Sequence, residues 1–196
     1  STTGDPTGTY YRYAFETPAF PDYPKYGIWP TAYFLNTREN GGGVLGNIAL
    51  DRAAMIAGNA NAQMVRFTVV QGGSGPNGLL PADVDGFGLP AVGTPGFFVG
   101  TSDNDIGAAA DALQIYRFDV NWVTPANSTF TGPVTLPIAA FDTVFPCTPT
   151  SRQCIPQPGT TTRVDILSYR QRPTFRLAYR NFGTHESLVT TQSVEA

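Results

Sequence analysis

Charge is scarce in this sequence. Only 14% of its 196 residues are Asp, Glu, Lys or Arg, well below the roughly 25% of an ordinary soluble domain. The net charge is −3, which gives no electrostatic footing for nucleic acid or an anionic membrane. Lysine is almost missing: Lys25 stands alone beside eleven arginines. Arginine is permanently charged and pairs in a planar, bidentate way, so it suits half-buried strand positions. The same bias also fits the base composition of a genome. No apolar run is long enough to read as a membrane span. Histidine occurs once, at His185. His185-Glu186-Ser187 does not make a triad, because neighbours on a strand point to opposite faces. A nucleophile must also lie within hydrogen-bond reach of its base, and no Gly-x-Ser-x-Gly elbow occurs. His185 is expected at the end of a hairpin.

Cysteine is limited to Cys147 and Cys154. Two cysteines this close in a Pro- and Thr-rich loop predict a local disulfide. Closing so short a loop contributes about 2 kcal/mol. The bridge speaks mainly of compartment, since disulfides persist outside the cytosol. Two thiolates and one distant histidine fall short of a zinc ligand set. The chain opens at Ser1 without an initiator methionine or a leader. Residues 1–196 are therefore expected to be a single β-repeat region within a longer secreted protein.

What the sequence has in quantity is turn residues and short apolar stretches. Its 21 glycines and 17 prolines imply many turns and little helix. Hydrophobic residues make up 41% of the chain, enough for a core. Three stretches set an arginine between apolar or aromatic residues: Tyr11-Arg12-Tyr13, Val65-Arg66-Phe67 and Tyr116-Arg117-Phe118. Their arginines stand 54 and 51 residues apart. Alternation of this kind puts the arginine on the opposite face of a strand from its neighbours. Similarity at a fixed period is the mark of repeated sheet modules. Tyr169-Arg170 is a weaker fourth copy.

The remaining pattern is a series of short strands. Tyr10 to Phe15, Tyr26 to Trp29, Ala32 to Asn36, Asn47 to Leu50, Met64 to Val70, Phe97 to Val99 and Leu113 to Trp122 all read as extended. Asp51 to Gly58 reads as a turn or two of helix, capped by Asp51 and stopped by Gly58. Leu79 to Gly96 holds three prolines and four glycines and is expected to be irregular, whereas Thr124 to Pro158, rich in Pro and Thr, is expected to hold short extended pieces such as Phe130-Thr131 and Ile138 to Phe141. Thr174 to Phe182 and Ser187 to Val194 predict a hairpin. Units of about fifty residues with three or four short antiparallel strands match propeller blades. The expected fold is all-β, with three to four blades in an incomplete ring.

Several segments also resemble a known group. They are Asp5-Pro6-Thr7-Gly8, Phe20-Pro21-Asp22-Tyr23-Pro24-Lys25, Leu79-Leu80-Pro81-Ala82-Asp83-Val84-Asp85-Gly86, Thr124-Pro125-Ala126-Asn127 and Phe175-Arg176-Leu177-Ala178-Tyr179-Arg180-Asn181. The resemblance is to large secreted bacterial proteins of propeller-like build, mostly uncharacterised, and it runs in order along nearly the whole chain. It implies an extracellular β-propeller region and carries no assigned active site. Relatives of that kind often have cysteines near positions 48 and 65, where this chain has Ile48 and Val65.

The candidate chemistry is modest. Asp83 and Asp85, with Asp103 and Asp105, offer oxygen ligands of the type calcium takes. They lack the twelve-residue loop pattern, and aspartates in tight turns also bond backbone N–H groups. Ser102-Asp103-Asn104-Asp105-Ile106-Gly107 lacks the glycine and tryptophan of a sialidase aspartate box. Tyr10, Tyr11, Tyr13, Tyr23, Tyr26 and Trp29 are of a kind that stacks on sugar rings or anchors a protein partner, or that fills a β core. The leading expectation is an extracellular, non-catalytic structural or protein-interaction module without a cofactor. It would contact other parts of its own protein or a neighbouring subunit. A carbohydrate-active enzyme, a glycan-binding module and a calcium-dependent adhesin stay open as alternatives.

Overall fold

Two stretches of the sequence each fold back three times in succession. In the first, β1 (Asp22–Ile28), β2 (Tyr33–Glu39), β3 (Val44–Leu50) and β4 (Met64–Val70) form a four-stranded antiparallel meander. In the second, β5 (Leu80–Val84), β6 (Gly96–Ser102), β7 (Ala112–Asp119) and β8 (Thr129–Pro137) do the same. The computed structural model describes residues 2–143, 153–165 and 170–194. The chain is all-β with little helix, and one of its sheets curls into a half-barrel. α1 (Arg52–Ile56) is a single short helix. Asp51 caps it by accepting the Ala54 N–H at 3.0 Å, and Gly58 closes it at φ 72°.

The final hairpin, β11 (Pro173–Asn181) and β12 (Glu186–Gln192), joins the second meander. The strand order of that sheet becomes β12-β11-β5-β6-β7-β8. β11 runs parallel to β5, so the sheet is mixed rather than wholly antiparallel. β9 (Gln153–Ile155) and β10 (Val164–Asp165) form a separate two-stranded ladder.

β5 corrects the expectation of an irregular segment around Pro81. Proline has no N–H to give a ladder and normally avoids central strands. Here the strand changes partners at that residue. Leu80 and Pro81 pair with β6, and Ala82 to Val84 pair with β11. β8 likewise runs for nine residues where short extended pieces were expected.

The expected strand at Tyr10 to Phe15 is absent, since those residues pair with no strand among the described residues. The alternation that suggested it is still present. Tyr13, Phe15 and Thr17 turn inward while Arg12, Ala14 and Glu16 face solvent. Period-two burial needs only one covered face, not a hydrogen-bonded neighbour. The Tyr13 hydroxyl instead donates to the Met55 carbonyl at the end of α1, 3.1 Å away.

The core lies between the two meanders. Register places Phe98, Tyr116, Phe118 and Phe130 on one face of the second sheet. Phe98, Phe118 and Phe130 meet Phe34 and Phe67 of the first, with ring centroids 5.3–6.1 Å apart. Edge-to-face and offset contacts at such spacing add about 0.5–1.5 kcal/mol per pair beyond burial. Trp29, just after β1, is buried against Phe97 and Tyr179 instead. Its indole N–H donates to the Thr94 carbonyl.

The repeated arginines behave differently from one another. In β4 and β7 the arginine does sit opposite its apolar neighbours: Val65 and Phe67, like Tyr116 and Phe118, face the core. Arg66 reaches the carboxylate of Glu39, which is 1% exposed, in a two-point ion pair. The Thr37 hydroxyl donates to the same carboxylate at 2.9 Å. Gly46 makes the space, since a Cβ there would lie 2.2 Å from Glu39 Oε1. Arg12 and Arg117 are exposed. Arg66 lies on the fourth strand of its meander and Arg117 on the third of its own.

Candidate functional site

The first strand of the first sheet lies directly on the second sheet. A Cβ on Gly27 would come within 2.4 Å of the Ala82 carbonyl oxygen, so only glycine permits this approach. The Ile28 N–H donates to Asp83 Oδ1 at 3.0 Å and fixes the crossing. This brings β1 beside residues 77–80 and the start of β11, and a recess forms where they meet.

β1 carries a bulge next to that recess. Asp22 pairs with Arg38 and Lys25 with Asn36, so β1 spends one more residue than β2 between the two pairs. Tyr23 takes φ 53° there, and bulges of this kind re-aim side chains. Tyr23 and Lys25 turn inward while Asp22, Pro24 and Tyr26 stay exposed. The Lys25 ammonium sits 3.5 Å from the centre of the Tyr23 ring. The Arg172 guanidinium lies 4.5 Å from the same ring. Contacts of this type contribute about 0.5–2 kcal/mol as water is excluded.

Tyr23, Lys25, Arg38, Arg172, Asn36 and Asn77 are the polar residues that line the recess, whose surface is mostly apolar, and its described lining contains no Asp or Glu. Asn36 is already committed: it donates to the Gly46 carbonyl and Asn47 Oδ1 and accepts from the Leu79 N–H. Arg38 donates from Nε to Gln71 Oε1 at 3.1 Å. Burial, and then the positive charge of Arg172, lowers the pKa of Lys25 below the usual lysine value. The volume within the recess is about 10 Å³, room for one water-sized group. The arrangement sets cationic side chains around a small recess whose surface is mostly apolar.

The residues expected from sequence divide into unrelated places. Asp83 and Asp85 lie at the end of β5 and face Arg176. Asp83 Oδ2 is 2.7 Å from Arg176 Nε and Asp85 Oδ1 is 3.6 Å from Nη2. One guanidinium thus faces both carboxylates, pairs closely with Asp83 and ties β5 to β11. Asp103 and Asp105 lie in the β6–β7 connection. Asp103 accepts from the Asp105 N–H at 2.8 Å and from the Thr143 hydroxyl. Asp111 accepts from the N–H groups of Asn104 and Phe141, each at 3.0 Å. Desolvation, followed by the neighbouring Asp142, Asp103 and Asp111, raises the pKa of Asp105. Among the described residues no three His, Cys, Asp or Glu side chains are placed to hold a metal ion.

Cys154 is buried in β9. Cys147, its expected partner, lies outside the described residues, as does Tyr169 of the weak fourth repeat. His185 stands in the β11–β12 turn. Its ring stacks on Phe182 at 4.8 Å, and its Nδ1 is 3.1 Å from the Thr184 hydroxyl. Tyr10, Tyr11 and Tyr26 are exposed, whereas Trp29 belongs to the core.

Sequence reasoning missed the recess. Lys25, Arg38, Asn77 and Arg172 are far apart along the chain, and no local spacing joins them. The one available signal was the isolation of Lys25 in a chain that otherwise uses only arginine. Comparison of the chain with family models, curated proteins and solved structures finds no match.

Proposed function

We propose that this chain is an extracellular, non-catalytic β-sheet module with a structural or protein-interaction role, built in propeller-like fashion and related to large secreted bacterial proteins. The observation that carries this reading is the open edge at β8. That strand pairs only with β7, so its outer N–H and C=O groups lack a ladder partner among the described residues. Val134 and Leu136 on it, and Ile138 just past its end, stand two residues apart, each 37–49% exposed. An apolar stripe beside an unpaired backbone edge is a template for another strand. The occupant we propose is a strand from elsewhere in the same protein or from a neighbouring subunit. Two successive four-stranded meanders support the blade-like construction.

Sedimentation velocity and binding of a hydrophobic dye test the reading together. The chain should associate or bind dye, and Val134→Lys with Leu136→Lys should weaken both. A dye-free monomer at every concentration refutes it.

A further inference from the structure

We propose that copies of this chain join head to tail, the apolar loop after β5 of one copy seating in an apolar groove at the far end of the same sheet in the next. The loop runs Gly86-Phe87-Gly88-Leu89-Pro90-Ala91-Val92-Gly93 and carries no charged or hydrogen-bonding side chain. Phe87 and Val92 are fully exposed, and Leu89 is 60% exposed. The backbone beneath them is nonetheless held. The Asp85 N–H donates to the Tyr179 carbonyl at 2.8 Å, and the Thr94 N–H to the Ala91 carbonyl at 3.0 Å. Between these two points Asn181 Nδ2 donates to the Leu89 carbonyl at 2.8 Å. The loop is therefore a fixed apolar projection, and a contiguous exposed apolar surface marks a contact site.

The groove lies at the opposite end of the strands. β5 runs into the loop and β6 leaves it, whereas the groove is walled by Leu113 early in β7, by Ile138 just past β8, and by Leu188, Val189 and Val194 in and after β12. β8 and β12 are the two outer strands of the six-stranded sheet, so the groove opens between its edges. It encloses about 560 Å³, within the roughly 300–1,000 Å³ of sites that take sizeable apolar groups. No Asp, Glu, Lys or Arg lines it among the described residues. Three of its polar side chains are engaged inside the fold. The Thr101 hydroxyl donates to Gln192 Oε1, Gln192 Nε2 to the Arg170 carbonyl, and the Thr190 hydroxyl to the Thr174 carbonyl. An uncharged groove of this kind matches an uncharged loop, and a charged or strongly polar occupant would lose its water there without recompense.

A chain cannot fill its own groove. From Gly96, just past the loop, to Thr101 in the groove wall is five steps of extended strand, about 16 Å. The contact joins two different surfaces, so it is heterologous: each copy seats one neighbour and is seated by another. It needs no ladder hydrogen bond and is distinct from pairing along β8.

Sedimentation velocity over a concentration series tests this in chains carrying Val134→Lys and Leu136→Lys, so that pairing along the β8 edge does not enter. These chains should still associate, into species that grow with concentration. Phe87→Asp and Val189→Asp change exposed side chains and should leave the fold intact by circular dichroism. Val92→Asp and Val194→Asp replace whichever does not fold. Each variant should weaken association at least tenfold, the effect of losing one buried apolar anchor. Mixed one to one, the two should form a dimer and nothing larger, because Phe87→Asp keeps its groove and Val189→Asp keeps its loop. Unchanged association in either variant, a mixture that stays monomeric, or no association before these substitutions overturns the proposal.

Discussion

Replacing Arg66 by methionine separates two accounts of the repeated arginines. If the repeat made equivalent modules, Arg12, Arg66 and Arg117 would matter alike. Of these three, Arg66 is the one ion-paired among the described residues, and its partner Glu39 is 1% exposed against 20% for Arg66. Arg66→Met leaves a buried carboxylate with the Thr37 hydroxyl as its remaining donor. Removing one partner of a buried pair costs about 3–5 kcal/mol. Part of the Arg66 side chain meets water, which places the expected loss near the lower end, about 3 kcal/mol. With a urea slope of about 2 kcal/mol/M, the midpoint should fall by about 1.5 M. Arg117→Met and Arg12→Met change exposed positions and should stay within about 0.5 kcal/mol of the parent. The double variant Glu39→Leu/Arg66→Met removes both charges and should recover much of the loss. Urea unfolding followed by tryptophan fluorescence gives all four values. An Arg66→Met cost below about 1 kcal/mol, or equal costs at positions 66 and 117, would refute the argument.

Gly27→Ala pushes a methyl group into the Ala82 carbonyl, a backbone atom with little freedom to move. A stability loss of about 1–3 kcal/mol is expected by thermal unfolding, and a neutral result would mean that β1 does not lie on β5 as described. Asp105 has its pKa raised above the ordinary 3.8 by desolvation and by neighbouring carboxylates. Its ionised form therefore weakens the fold above the raised value, and the penalty lifts as pH falls through that value towards 3.8. Asp105→Asn should be more stable than the parent at neutral pH and lose that advantage in acid. Melting curves that keep the same difference at every pH would contradict this. Because Arg176 faces Asp83 and Asp85, and backbone N–H groups occupy Asp103 and Asp111, a chelator should leave the melting midpoint unchanged. A fall in the midpoint would bring calcium back as a ligand.

Most of the strands were legible because their signal is local. Val65-Arg66-Phe67 and Tyr116-Arg117-Phe118 declare alternating faces, and each face is where the alternation put it. Asp51 and Gly58 mark the two ends of α1 for equally local reasons. The same signal failed at Tyr10 to Phe15 because it reports a covered side and not a paired backbone. It failed at Pro81 because a change of partner depends on β11, about ninety residues away. The candidate site was hidden for the same cause. Lys25 and Arg172 meet over one tyrosine only after the last hairpin has joined the sheet.

That late arrival of β11 sets an order of events for folding. The first meander needs nothing beyond residue 70 to complete its ladders. β5, in contrast, has two paired residues on one side and an empty flank until positions 177–179 reach it. Contacts so distant in sequence form slowly, because a long loop must close before they give any return. On a ribosome, one flank of β5 would be waiting for residues 177–179, with the seat of Lys25 the last corner to be walled in.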